Sequence, residues 1–469
     1  MTNPVAMPRY RPPRTRREIF DIAAAPRPAE NEAPQGSPPP LSVIALNRMG
    51  FGPRPGDLAA FDALGVDDDE RLSTYVAQQL NPGGNPAVDD VEYWQRRNGL
   101  AGHPNPGLVT LGLTLQQLWQ SYELNNPPPP AGSGSNRPVD EVRLDTYARM
   151  LYSRWQLREV LADFWHNHFN VYGFENYTQE TFVHWNRDVI RAHIFGNFRD
   201  FLEAVAKSTT MLYYLDNYTN TVDGPNENWA RELFELHTLG AENYVGVGAQ
   251  AGVPNWPGDP LWPAGTPGAG SPIPLGYVDD DVYEVGRCFT GWSRDGATGL
   301  FEYDSGDHDN FQKAVLSQGF VNIPQGGEDQ DGYLVLDMLA AHPGTGRHVA
   351  RKLCRRLISD EPPEPLVESV GALFTAQWQA PDQLKQVYQA ILLSPEFRTT
   401  WGGKIKRPVD YTLSLMRAGN ANWNFGYASQ NPLSFESDTS KELASPDAIR
   451  PSTRRLSSLV SDTRHGLPW

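Results

Sequence analysis

Three short runs of the sequence place histidine and carboxylate residues among residues that are normally buried. They are WHNHF at residues 165–169, ENWARELFELH at 227–237 and RCFTGW at 287–292. Burying an ionisable side chain is costly unless the group is paired, changes its protonation state or binds a metal. These runs are therefore the first candidates for a functional site.

His166 and His168 are candidate metal ligands whose use depends on the local backbone. On a regular helix, side chains two residues apart differ in direction by about 200°, so both imidazoles could not reach one ion. In an extended or broken segment, the same spacing places both on one side. The helical alternative gives a packed His168 and a His166 on the polar face. The metal interpretation requires the helix to end near His166.

Glu232 and Glu235 are candidate catalytic carboxylates, and His237 is a third candidate metal ligand. A spacing of three residues places both carboxylates on one helix face, as sharing a cation or a proton requires. Arg231 lies one turn before Glu235, so a salt-bridged face is the alternative. Glu235 and His237 do not match the Glu-x-x-His spacing of helical di-metal bundles.

His308 is the third catalytic candidate, because the neighbouring Asp309 could orient its imidazole and Lys313 follows nearby. Adjacent His and Asp residues are also common on surfaces. The sequence contains no Gly-x-Ser-x-Gly elbow, Walker loop or Gly-x-Gly-x-x-Gly fingerprint, which disfavours serine hydrolases, nucleotide phosphatases and Rossmann enzymes. A divalent metal ion held by imidazole and carboxylate groups is the expected cofactor, and it would suit hydrolysis or redox chemistry.

The composition excludes several classes of protein. A chain of 469 residues with 39% hydrophobic residues, 13 Trp and 19 Tyr can bury a sizeable core. A net charge of −16 disfavours general nucleic-acid binding, which needs a basic surface. Cys288 and Cys354 are too few for a disulfide framework or a four-thiolate zinc site, so we expect buried free thiols.

Hydropathy and targeting signals indicate where the protein is expected to work. The sequence has no run of about 18 apolar residues, so no membrane-spanning helix is predicted. Arg16 and Arg17 resemble part of a twin-arginine signal, but the apolar segment that follows is too short and is succeeded by prolines. As written, the sequence predicts a cytoplasmic protein.

Apolar residues at three- and four-residue spacing predict a mainly α-helical domain over residues 41–420, including one long helix over about 139–169. Pro- and Gly-rich stretches predict loop insertions at about 100–138 and 246–276. Alternating residues predict a small β-hairpin at about 298–325. Residues 1–40 are predicted to be a flexible leader, and residues 421–469 an irregular C-terminal segment.

Several longer motifs occur in an order that is typical of one family. They are FWHNHF at 164–169, MLYYLDN at 211–217, PNENWAREL at 225–233, ELHTLG at 235–240, FTGW at 289–292, His308-Asp309 with Lys313, and His342-Pro343 through RKL at 351–353. From about Leu41 to Met416 the chain resembles the bacterial DUF1800 family, whose function is unknown.

The resemblance implies a mostly helical bacterial protein. Members often carry export signals and are often encoded beside a DUF1501 protein, so a DUF1501-type protein is the expected partner. This chain departs from the family in lacking a clear export signal and in its long insertions. Relatives continue into a tail rich in Trp, Pro and Gly where this sequence ends at Trp469, so we expect an incomplete C-terminal segment.

The resulting hypothesis is a metal-dependent enzyme, with hydrolase and oxidoreductase chemistry both open. Its central helices would enclose one pocket, to which a loop adds His308. The pocket residues would be His166, His168, Glu232, Glu235, His237 and His308. The alternative is a non-catalytic helical partner or assembly protein, in which the same polar runs form buried hydrogen-bond networks.

Overall fold

The helices pack around an aromatic centre that lies directly beside two of the candidate residues. Trp165 is fully buried, and its indole N–H donates to the Tyr388 hydroxyl at 2.7 Å. That hydroxyl donates in turn to the Ile194 carbonyl at 2.9 Å. The Phe169 and Phe201 rings lie 5.6 and 5.1 Å from the Trp165 ring. Aromatic pairs at such distances contribute stabilisation beyond that of the surface area they bury. This centre therefore fixes the end of the helix that carries His166 and His168.

A computed structural model of the chain describes residues 37–99, 108–129, 134–175 and 177–422. Most of the predicted leader, parts of the first predicted insertion and nearly all of the predicted C-terminal segment lie outside these residues. From Pro39 onward, the described residues belong to one unit with one hydrophobic core.

The predicted mainly α-helical fold is confirmed. In the first half the helices are α1 (Leu41–Arg48), α2 (Asp57–Asp62), α3 (Asp68–Gln79), α4 (Pro86–Asp89), α5 (Val91–Gly99), α6 (Leu115–Leu118), α7 (Arg137–Tyr152), α8 (Gln156–His168), α9 (Thr178–His184), α10 (Arg191–His193), α11 (Phe198–Lys207) and α12 (Thr209–Tyr214). A π-helical turn follows α6 at Trp119–Glu123, and another follows α9 at Trp185–Ile190.

The second half continues in the same way. Its helices are α13 (Asn228–Glu232), α14 (Asp279–Cys288), α15 (Gln330–Ala341), α16 (Pro343–Leu357), α17 (Glu364–Ala376), α18 (Gln383–Leu392), α19 (Pro395–Thr399) and α20 (Pro408–Ala418). A third π-helical turn, Leu233–His237, extends α13.

The prediction of one long helix over residues 139–169 is wrong, because the chain breaks between α7 and α8. Ser153 and Arg154 are held by the buried Asp90 carboxylate, which accepts from Ser153 Oγ at 2.5 Å and from the Arg154 N–H at 2.9 Å. A side chain distant in sequence thus satisfies the backbone at the break. Apolar spacing continues across the gap, so periodicity alone could not reveal it.

The described residues contain two sheets of two strands each. β1 (Tyr244–Gly246) pairs in parallel with β2 (Tyr277–Val278). β3 (Trp292–Arg294) pairs antiparallel with β4 (Phe301–Tyr303). The predicted hairpin therefore starts earlier than expected, and only an isolated bridge between Lys313 and Ile323 lies in its second half.

The 246–276 insertion, which was predicted as a loop, is largely irregular but contributes to the core. Trp262 and Ile273 are buried, and the Trp256 and Trp262 rings lie 5.6 and 5.7 Å from the His342 ring. His342 caps α16 by accepting the Gly344 N–H through Nδ1 at 2.9 Å. The insertion therefore helps to position the helix that carries much of the candidate site.

Two further expectations concern the cysteines and the membrane. Cys288 and Cys354 are buried free thiols, as predicted. Within the described ranges, no helix combines the length and the apolar character needed to span a bilayer.

Candidate functional site

His166 and His168 lie on different sides of α8, because the helix continues through His168. The His166 Nε2 atom lies 2.9 Å from Asn186 Oδ1, and its ring stacks on Phe182 with the centroids 6.0 Å apart. Burial lowers the pKa of His166 to about 4. The structure therefore does not bring His166 and His168 together.

His168 and His237 are brought together. The His168 Nε2 atom lies 3.0 Å from the His237 carbonyl oxygen, and the centroids of the two rings are 6.2 Å apart. Both residues are only 2% exposed. Among the described residues, His168 Nδ1 and both ring nitrogens of His237 have no hydrogen-bond partner. Three buried imidazole nitrogens are thus left without a partner in one small region.

Helix α16 adds two residues that were not predicted as site residues. The His348 ring centroid lies 6.2 Å from that of His168, and its Nδ1 atom lies 3.0 Å from Glu242 Oε1. Lys352 follows His348 by four residues and so projects from the same face of α16. We call His168, His237, His348, Lys352 and Glu242 the histidine cluster.

The electrostatics of the histidine cluster favour neutral imidazoles. Burial, followed by the positive charge of Lys352, lowers the pKa of His168 well below its usual value and that of His237 to about 3. Burial also lowers the pKa of Lys352 to about 8, against the opposing effect of Glu242. At neutral pH the imidazoles of His168 and His237 are therefore uncharged.

Glu232 and Glu235 do not join this cluster, because the π-helical turn begins directly after Glu232. In a π-helical turn, with its i→i+5 hydrogen bonds, the rotation from one residue to the next is smaller than in an α-helix. Two side chains three residues apart therefore no longer lie on the same face of the helix. Burial and then the charges of Glu175 and Glu232 raise the pKa of Tyr214, whereas burial and then Glu235 raise that of Tyr277. Glu232 thus lies near Tyr214, whereas Glu235 lies near Tyr277.

Arg231 forms a salt-bridged face, but not with the carboxylate that the spacing suggested. Its guanidinium lies 3.2 Å from Glu227 and 3.3 Å from Asp279. The side chain thus connects α13 to the start of α14.

His308 belongs to a separate buried network. Its Nδ1 atom lies 2.7 Å from the Thr290 carbonyl oxygen, and its Nε2 atom lies 3.4 Å from Asp331 Oδ2. Lys313 Nζ donates to the same Asp331 oxygen at 2.5 Å, and the Lys313 and Asp331 side chains are fully buried. Asp309 binds Arg287 instead, at 2.7 Å. Asp331, distant in sequence, is therefore the carboxylate nearest to the His308 imidazole.

No group of three or more His, Cys, Asp or Glu residues in the described part of the chain is arranged to hold a metal ion. The histidine cluster supplies two neutral imidazoles and the His348–Glu242 pair. The sequence signal for His348 and Lys352 was their four-residue spacing in RHVARK at 347–352. A basic run of this kind usually forms a solvated helix face.

Comparison with known proteins identifies a family and no characterised relative. The family model described as "Protein of unknown function (DUF1800)" matches residues 44–452. No curated protein and no solved structure matches the chain.

The buried His308 network provides a test of stability. Replacing Lys313 by Met leaves the Asp331 carboxylate buried without its cation, and removing one partner of a buried ion pair typically costs about 3–5 kcal/mol. We expect the free energy of unfolding, measured by urea denaturation, to fall by about that amount. The double variant Lys313→Met, Asp331→Leu should recover much of the loss. Equal stability of Lys313→Met and the unmodified protein would contradict this assignment.

Proposed function

Because the chain belongs to the DUF1800 family, whose function is unknown, we propose a function from its own side chains: a metal-dependent enzyme centred on the histidine cluster. The three unpartnered imidazole nitrogens of His168 and His237 carry the proposal. Leaving a buried polar atom without a partner costs about 1–3 kcal/mol. A single metal ion bound to two of these nitrogens would give both of them a partner and so offset that cost.

The chemistry of the donors supports a divalent transition metal. Neutral imidazole is the form that binds such ions, and the lowered pKa values keep His168 and His237 neutral at physiological pH. His348 is the candidate third ligand. Because its Nδ1 atom is 3.0 Å from Glu242, its ring would have to turn from Glu242 towards His168.

Two features suggest catalysis rather than a purely structural ion. Lys352 has a pKa of about 8, which suits exchange of a proton near neutral pH. His237 ends a π-helical turn, a distortion often found at functional sites. A bound ion would supply Lewis-acid or redox chemistry, and Lys352 would move the proton. His166, Glu232, Glu235 and His308 contact other groups and are not part of this proposal.

The first test is elemental analysis of the full chain purified without chelators. We expect about one equivalent of iron, zinc, manganese or copper per chain. His168→Ala and His237→Ala should each lose it, because a lost ligand weakens binding by more than the roughly 10- to 100-fold typical of outer-shell changes.

His193→Ala is the matched control, since His193 Nδ1 contacts the Val189 carbonyl and its ring stacks on Phe201, outside the histidine cluster. This variant should keep its metal. Circular dichroism melting separates loss of metal from loss of folding. Metal-free unmodified protein that also fails to take up any of the four ions by titration would overturn the proposal.

The pH dependence of metal affinity tests the position of Lys352. Below its pKa of about 8 the Lys352 ammonium repels a bound cation, and above it the repulsion disappears. Affinity for zinc, measured by competition with a chromogenic chelator, should therefore rise as the pH increases through about 8. Lys352→Met should bind zinc more tightly at pH 7 and lose this step. Lys385→Met, which removes a half-buried lysine bonded to Asn81, should retain it.

A second candidate function, binding of a DUF1501-type protein, is favoured by one surface feature. Tyr244 and Val245 of β1 are 40% and 46% exposed, and the nearby Val247 is 88% exposed. Apolar side chains along a short strand that pairs with only one other strand suit addition of a partner segment.

Val247→Asp tests this second candidate. Co-purification with the DUF1501-type protein should fall at least tenfold, because a carboxylate at an apolar contact must be desolvated. Val66→Asp is the control, as Val66 is also 88% exposed but lies between α2 and α3. Equal co-purification of the two variants would argue against this surface.

A further inference from the structure

A cavity of about 170 Å³ lies away from the histidine cluster, between α1, the end of α16 and the segment that precedes α20. Four cationic side chains line it, together with a single carboxylate, that of Asp410. The cations are Arg48, Arg356, Lys404 and Lys406. In a chain with a net charge of −16, such a local excess of positive charge favours an anionic ligand.

Two of these cations have no carboxylate among their hydrogen-bond partners. Arg48 donates to the Thr400 carbonyl and hydroxyl oxygens, at 2.7 and 3.0 Å, and to the Phe397 carbonyl. Lys406 Nζ donates to Asn47 Oδ1 and Ser414 Oγ, both at 2.6 Å. Neutral oxygens solvate these charges without neutralising them.

Arg356 is a cation of the cavity lining whose hydrogen bonds the protein does not complete. Its Nε and Nη2 atoms are buried and have no hydrogen-bond partner within the described part of the chain. Asp163 and Asp410 lie 3.6 Å from Nη2, which is too long for a hydrogen bond. Both carboxylates are instead bonded to Arg407, at 2.5 and 2.9 Å. A guanidinium with free donors matches the planar geometry of a carboxylate.

Apart from Asn47, the remaining lining is apolar, and it limits the size of the ligand. Val43, Ile44, Phe51, Trp401 and Ile405 contribute to the walls, and Ile405 is 79% exposed, so the cavity reaches the surface there. An apolar cavity of about 150 Å³ in another protein accommodates benzene. The space of about 170 Å³ is therefore suited to a body of roughly one aromatic ring.

We propose that this cavity binds an organic carboxylate with an apolar body of about one ring, whose carboxylate pairs with Arg356 and whose body packs between Phe51 and Trp401. Lys406 lies on the same lining and adds to the attraction of the anion. The site is independent of the metal proposed at the histidine cluster.

Isothermal titration calorimetry of the full chain with three probes tests the proposal. Benzoate supplies the ring and the charge, benzamide is its neutral isostere, and inorganic phosphate is an anion without the apolar body. We expect benzoate to bind at least tenfold more tightly than either of the others. Equal binding of benzoate and benzamide would overturn the role of the charge, and tighter binding of phosphate would overturn the role of the ring.

Variants locate the binding in this cavity. Arg356→Met and Lys406→Met should each weaken benzoate binding at least tenfold, whereas Lys385→Met should not, because Lys385 is not a lining residue and is bonded to Asn81. Arg407 still pairs with Asp163 and Asp410 in Arg356→Met, and Lys406→Met leaves no carboxylate behind. Unchanged benzoate affinity in both variants would place the ligand elsewhere. His168→Ala should bind benzoate normally, which separates this test from that of the metal.

Discussion

The contact between α8 and α16 places one member of each proposed site, His348 beside His168 and Arg356 beside Asp163. Near one end of the contact, Asp163 of α8 faces Arg356 of α16 at 3.6 Å. Near the other end, the rings of His168 and His348 are 6.2 Å apart. Residue numbers rise along α8 as they fall along α16, so the two helices run antiparallel. The interface is thus polar at both ends in a region where most neighbouring side chains are apolar.

Such an interface contributes little to net stability, because desolvating charges offsets most of their attraction. Asp163 is 3% exposed and is held by Arg407 as well as facing Arg356. Apolar contacts elsewhere, such as those of Trp165 with Phe169 and Phe201, position α8. The polar groups of this interface are therefore not needed to hold the two helices together. Arg356, His168 and His237 also keep polar side-chain atoms that have no hydrogen-bond partner among the described residues.

The sequence predicted the helical class and most helices, because apolar spacing reports which face of a helix is buried. It could not predict the break after Tyr152, since Asp90, which holds that break, lies more than 60 residues earlier. It placed His168 and His237 in one pocket with four other residues, but those four are separated from the pair in the structure. Helix α8 continues past His166, and the π-helical turn separates Glu232 from Glu235. Asp331 and His348 join their clusters through tertiary contacts, which periodicity does not report.

Lys352 and Arg356 lie one turn apart on α16, so the two sites share one helix face. Burial and then the charge of Lys352 lower the pKa values of His168 and His237. Arg356 lines the cationic cavity. The proposed metal site and the proposed anion site therefore use separate side chains of one helix, and the position of α16 sets both.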